Sequence, residues 1–110
     1  MPTTSRQRPK PLRDFERRFP DVFHGYASLR DACDRSGPLD AKTRELIKIG
    51  IAVARKRRGG LIAHIDRAKS AGATSKEISQ AILLALPLVG FPEVLDAFVA
   101  AKAHLLPPRR

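Results

Sequence analysis

From Phe19 onward the apolar positions Val22, Phe23, Tyr26, Leu29, Ala32 and Cys33 recur three or four residues apart, the spacing that lines one face of an α-helix. Ser36-Gly37-Pro38 stops the pattern, so a first long helix is predicted to end there, preceded by a short turn containing Phe15. Asp40 is placed to cap a second helix with Leu46, Ile47, Ile49, Ile51 and Val53 as its apolar body, ending near Arg55-Lys56-Arg57-Arg58. Gly59-Gly60 then breaks the pattern. A third helix, about Leu61 to Ser70, carries Leu61, His64, Ile65 and Ala68 along one stripe, and Gly72 is its stop. Thr74-Ser75-Lys76-Glu77 has the spacing of a capping box, and Ile78, Ala81, Ile82 and Ala85 continue from it as a fourth helix, ended or kinked by Pro87 and Gly90. Pro92 sits at a first-turn position, and Val94, Leu95, Phe98, Val99 and Leu105 line a fifth helix reaching Leu106.

These periods predict an all-α protein, a compact bundle of five to six helices. Composition agrees: 43% of residues are hydrophobic and only 5% aromatic, with Ala, Leu, Ile and Val dominating, which suits closely packed helices better than a sheet. Residues 1–12 hold three prolines among basic and hydroxyl residues and show no apolar period, so they are expected to form a disordered basic arm, with residues 13–110 a single helical domain. The longest apolar stretch, Ala81 to Val89, is interrupted by Pro87 and falls far short of the roughly 20 residues that span a bilayer. No hydrophobic stretch follows the basic start to act as a secretory signal, so a cytoplasmic protein with no membrane partner is expected.

A net charge of +10 raises the question of an anionic partner. Much of it sits in the ends (Arg6, Arg8, Lys10, Arg13, Arg17, Arg18, Arg109, Arg110) and in the Arg55 to Arg58 run. Cations in a last helical turn complement the helix dipole, so that run needs no partner, and no nucleic-acid motif or stacking aromatic accompanies the charge. Nucleic acid is therefore disfavoured as a partner. Leu83, Leu84, Leu86, Leu88, Val89 and Val99 offer more apolar surface than one thin bundle buries, which predicts a homo-oligomer.

Candidate chemistry is sparse. Cys33 is the single cysteine, which rules out an intrachain disulfide or dithiol redox pair, and its place on a helical segment reads as a small core residue. His24 and His104 lack ligand spacing, no Cys/His metal pattern exists and no Gly-rich loop follows a strand, so neither a metal nor a cofactor site is predicted. Two ionisable residues stand on otherwise apolar faces: Glu45, just before Leu46-Ile47, and His64, among Leu61, Ile62, Ala63 and Ile65. In an antiparallel hairpin Glu45 falls about three turns before the end of one helix and His64 about one turn into the next, so they need not touch. A carboxylate beside an imidazole in a semi-apolar cleft would supply a general acid or base at cellular pH. The alternative is that His64 bonds a backbone carbonyl while Glu45 pairs with Arg44 or Lys48 on a solvated face.

Leu39-Asp40, Arg44-Glu45-Leu46-Ile47, His64, Ala71-Gly72-Ala73-Thr74, Glu77-Ile78 and Gly90-Phe91-Pro92, in this order and spacing, resemble the carboxymuconolactone decarboxylase and alkylhydroperoxidase D-like superfamily over roughly residues 20 to 105. In the peroxidase branch of that superfamily a glutamate is followed by a CxxC pair and a proton-relaying histidine. Counting from Glu45, the cysteine positions fall on Arg57 and Gly60 and the histidine on His64. A thiolate is the nucleophile there and neither Arg nor Gly replaces it, so peroxidase activity is not implied. The decarboxylase branch lacks the cysteines, keeps the histidine and acts without a cofactor on a carboxylated unsaturated lactone. That likeness implies His64 as acid or base, Glu45 orienting its ring, and Arg44 or Arg57 holding a carboxylate of a small metabolite. It also implies a homo-oligomer, dimer, trimer or hexamer, with its cleft at or near a subunit interface. The competing readings are a non-catalytic helical oligomer that binds a small anion or partner protein, and a nucleic-acid binder using the basic arm and the Arg55 to Arg58 run.

Overall fold

A computed structural model describes residues 9–105 and divides the chain into two units, Met1–Pro38 and Leu39–Arg110. Every regular element among the described residues is helical. The first unit holds α1 (Lys10–Arg18) and α2 (Pro20–Arg35). Helix α1 replaces the turn predicted around Phe15 and begins within the stretch read as a disordered arm. Asp14 accepts from Lys10 and Arg17, one turn to either side, which ties the helix surface together. Residues 1–8 of the arm lie outside the described residues. Pro20 opens α2 at a position whose N–H would have no intrahelical acceptor anyway. Of the apolar stripe read for this helix only Phe23 is buried, while Val22, Tyr26 and Leu29 are each more than half exposed. Cys33 is exposed too, which corrects its reading as a core residue: it lies outside the narrow strip around Phe23 that α2 covers.

The second unit holds α3 (Ala41–Ala54), α4 (Arg58–Ser70), α5 (Ser75–Leu83), the single turn α6 (Leu86–Val89) and α7 (Phe91–Leu105). Ile49, Ile65, Ile78 and Ile82, one or two from each of α3, α4 and α5, are fully buried at its centre, joined by Val94, Ala97 and Ala101 of α7. The caps follow the sequence closely. Asp40 accepts the Thr43 N–H at 2.9 Å, and Thr74 and Glu77 form the reciprocal capping box that starts α5. Gly90, at φ 102°, turns the chain from α6 into α7. Leu106, the predicted end of the last helix, lies outside the described residues.

The hairpin between α3 and α4 departs from expectation. Gly59-Gly60 is not the break; both glycines lie in the first turn of α4, where backbone N–H groups lack helical acceptors in any case. The turn is Arg55-Lys56-Arg57. There the Arg57 N–H reaches the Ala52 carbonyl and the Lys56 N–H reaches the Val53 carbonyl, both at 3.1 Å, with Lys56 at φ 57°. Helix α4 ends on the same bonding pattern: Ala73 donates to Ala68 and Gly72 to Lys69, with Gly72 at φ 97°. One closure uses the residue suited to a left-handed backbone. The other forces it on a lysine, whose ammonium lies 3.3 Å from Glu93 of α7.

Candidate active site

A three-residue turn brings α3 and α4 back on each other. Glu45 stands nine residues before the end of α3 and His64 six residues after the start of α4. At 1.5 Å of rise per residue their Cα atoms differ in height by only about 5 Å, which two side chains can span. They meet: His64 Nδ1 lies 2.8 Å from Glu45 Oε1. The contact was not required by spacing alone, and it displaces the alternative in which His64 bonds a backbone carbonyl.

Glu45 is the one charged residue buried among the described core residues, at 9% exposure, and the His64 side chain retains 23%. Burial pushes the Glu45 carboxyl up, but the hydrogen bond to His64 and the charges of His64, Lys48 and Arg67 outweigh it and hold it below its usual 4.5. An ionised carboxylate only accepts, so Nδ1 carries the hydrogen and donates. The other ring nitrogen, Nε2, has no hydrogen-bond partner among the described residues. An imidazole clamped at one nitrogen with the other left without a protein partner can take or give a proton at the second.

Arg44 Nη1 donates to the Leu39 carbonyl at 2.6 Å, which draws that arm of its guanidinium to the start of α3. Arg57 is exposed just before α4, seven residues and about 10 Å of helix from His64. It borders a shallow depression with Lys56, Arg58, Glu93 and Asp96. Two cations stand near the pair: Lys48, expected above only as a partner of Glu45 on a solvated face, and Arg67, which the pattern did not single out. Lys48 Nζ is 3.8 Å from Glu45 Oε2, and half-buried Arg67 lies one turn beyond His64. The signal was available, because each sits three residues after a member of the pair and so shares its helix face.

The other face of α3 contributes to a different feature. Ile47 and Ile51, with Leu84 and Leu88 beyond them, line a largely apolar groove of about 540 Å³ whose polar lining includes Glu77 and Gln80. Neither Glu45 nor His64 lines it. Among the described residues no group of three or more His, Cys, Asp or Glu side chains is placed to hold a metal ion, and no helix is long and apolar enough to cross a membrane.

The fold and the pair together define a class: helical-hairpin proteins that present a clamped imidazole where one helix doubles back on another. The chain belongs to the carboxymuconolactone decarboxylase family, whose sequence pattern matches residues 20–103, and its fold is the all-α, alkylhydroperoxidase D-like one. No curated protein and no solved structure matches the chain. Arg57 and Gly60, at the positions where the peroxidase branch carries sulfur, stand at the N-terminal end of α4, the kind of place that favours a thiolate. Neither side chain offers one.

Proposed function

We propose that this protein is a cofactor-free decarboxylase-type enzyme acting on a small carboxylated or lactone metabolite, with His64 as the proton-transferring residue and Glu45 as the residue that positions it. The 2.8 Å contact between His64 Nδ1 and Glu45 Oε1 carries this reading. In the reaction, the carbon–carbon bond to a substrate carboxylate breaks and carbon dioxide leaves. The bonding electron pair moves into the adjacent unsaturated lactone, whose carbon takes the proton from His64 Nε2. The imidazole then regains its proton from water. Glu45 fixes the ring and stabilises the imidazolium before the transfer. Thiol-based peroxide reduction has no place in this scheme, because the hairpin carries no thiolate.

The reading extends to assembly and setting. Leu88 is 85% and Leu84 65% exposed in the lining of the groove, a patch that favours association with further copies of the chain, in the cytoplasm. The second reading, a non-catalytic helical oligomer that binds a small anion or a partner protein, draws on the same patch and on the distance between groove and pair. Release of carbon dioxide from carboxymuconolactone by the purified protein separates the two. Turnover is expected; no release at saturating substrate contradicts the enzyme reading and favours the binder.

A further inference from the structure

Helix α2 is 16 residues long and buries one of them, Phe23. Val22, Tyr26, Leu29 and Cys33 stand exposed at intervals of four, three and four, the 3.5-residue spacing by which a helix lays a narrow seam against other helices. A helix of this length draws most of its stability from a packed face, and this seam stands open. The groove lined by α3 and α5 has the matching form. Its lining follows α3 from Thr43 to Ala54, about 16 Å of helix, and the seam from Val22 to Cys33 spans the same number of residues. Gly50 and Ala81 give the middle of the groove its smallest side chains, and a Cβ at Gly50 would already lie 3.9 Å from the Ala81 carbonyl oxygen. One end is polar, with Thr43 and Glu77, and the other carries Leu88. Thr43 and Glu77 are the third residues of their helices, and Lys42 Nζ lies 3.1 Å from Glu77 Oε2, so α3 and α5 both start at the polar end.

We propose that this groove receives helix α2 of a second copy of the chain, running antiparallel to α3 and α5, and that the two copies exchange the helix reciprocally. Tyr26 of the partner subunit then sits over Gly50 and Ala81, so the largest side chain of the seam meets the smallest part of the groove, as close packing requires. Val22 of the partner subunit meets Leu88, and Cys33 of the partner subunit lies at the Thr43 end. This direction sets the negative, C-terminal end of the entering helix beside the positive ends of α3 and α5. The reverse direction would place like ends together. Neither the seam nor the groove floor carries a charge, so the contact desolvates no ion at its centre. A two-fold axis makes the same contact twice and covers both open apolar surfaces. The inference rests on the reading of the chain as a homo-oligomer that associates through the Leu84 and Leu88 patch, and it names the segment that enters there.

The single native cysteine makes the contact readable. Wild-type chain, whose only thiol is Cys33, is mixed with the full-length double variant Cys33→Ser/Thr43→Cys and oxidised mildly. A disulfide joining the two proteins can form only between copies, and only where the Cα atoms come within about 7 Å. A covalent mixed dimer is expected, with no covalent dimer from either protein alone. None is expected when Cys33→Ser/Leu88→Cys replaces the double variant, because Leu88 lies at the far end of the groove. In light scattering Tyr26→Asp, a change at an exposed position, is expected to have the mass of one chain with unchanged helical content. A mixed dimer through Leu88→Cys and not through Thr43→Cys overturns the arrangement, and so does a disulfide in the wild type alone, which would pair α2 with α2. Light scattering also separates this inference from the reading beneath it. A monomeric wild type removes the homo-oligomer and the helix exchange together; an oligomeric wild type that gives no mixed disulfide, and whose mass Tyr26→Asp leaves unchanged, removes the exchange and keeps the oligomer.

Discussion

Glu45 shows how a buried charge is held in this protein. Its carboxyl is desolvated, yet His64, Lys48 and Arg67 keep it ionised, with a folded-state value below the ordinary 4.5. The sign of the consequence follows: a lowered carboxylate contributes stability that is fully present above the unfolded value and is lost as pH falls through the folded one. Thermal melts of wild type and Glu45→Gln are therefore expected to differ near neutral pH, and to converge as the pH falls below the ordinary carboxylate value of 4.5 and through the lowered folded one. A gap that stays constant across that range would contradict an ionised Glu45. At this scale the sequence pattern singles out Glu45 and His64 but not how they meet. A glutamate and a histidine on apolar faces are visible in the pattern; their contact depends on the height match across the hairpin, set by a turn whose position the glycines disguised. Cys33 was misread for a related reason, since a helical period tells which residues share a face and not whether anything covers it.

The helix ends were the most legible elements, because caps are local. Asp40, Thr74 with Glu77, and Gly72 all act as their spacing indicated. Thr74→Ala is expected to cost about 1 kcal/mol of stability in urea unfolding through loss of the capping box. The two left-handed closures permit an internal comparison. A Cβ at Gly72 would meet nothing within 4 Å, so Gly72→Ala isolates the backbone penalty of its φ 97°, about 1–2 kcal/mol. Lys56→Gly, at the matching position of α3, relieves that same penalty and gives up only an exposed ion pair to Glu93, so stability is expected to hold or rise slightly. A marked loss in Lys56→Gly would mean that Lys56 has a role beyond the turn. The α3–α4 turn escaped the sequence reading because Gly59-Gly60 is the stronger punctuation mark. The closing hydrogen bonds instead come from the basic run, through a backbone conformation that lysine adopts at a cost.

For the chain as a whole, the 3.6-residue period points to the all-α class, and the order of motifs to the family whose pattern residues 20–103 match. The division after Pro38, and the helix α1 ahead of it, were less visible, because a short charged helix held by Asp14 reads much like an arm. The excess of leucines near Pro87 was read as surface for further copies, and it is where the groove and the exposed Leu84 and Leu88 lie. The proposed homo-oligomer uses this patch, so Leu88→Asp is expected to be monomeric in light scattering where the wild type is not, with helical content unchanged; equal masses for the two proteins would contradict it. The proposed chemistry needs the hairpin to present His64 as a proton-transferring group held by Glu45. The most direct check is kcat/KM for carbon dioxide release from carboxymuconolactone by wild type and His64→Ala. A loss of about 10²- to 10⁴-fold is expected in the variant; equal values in the two proteins would contradict His64 as the proton-transferring group.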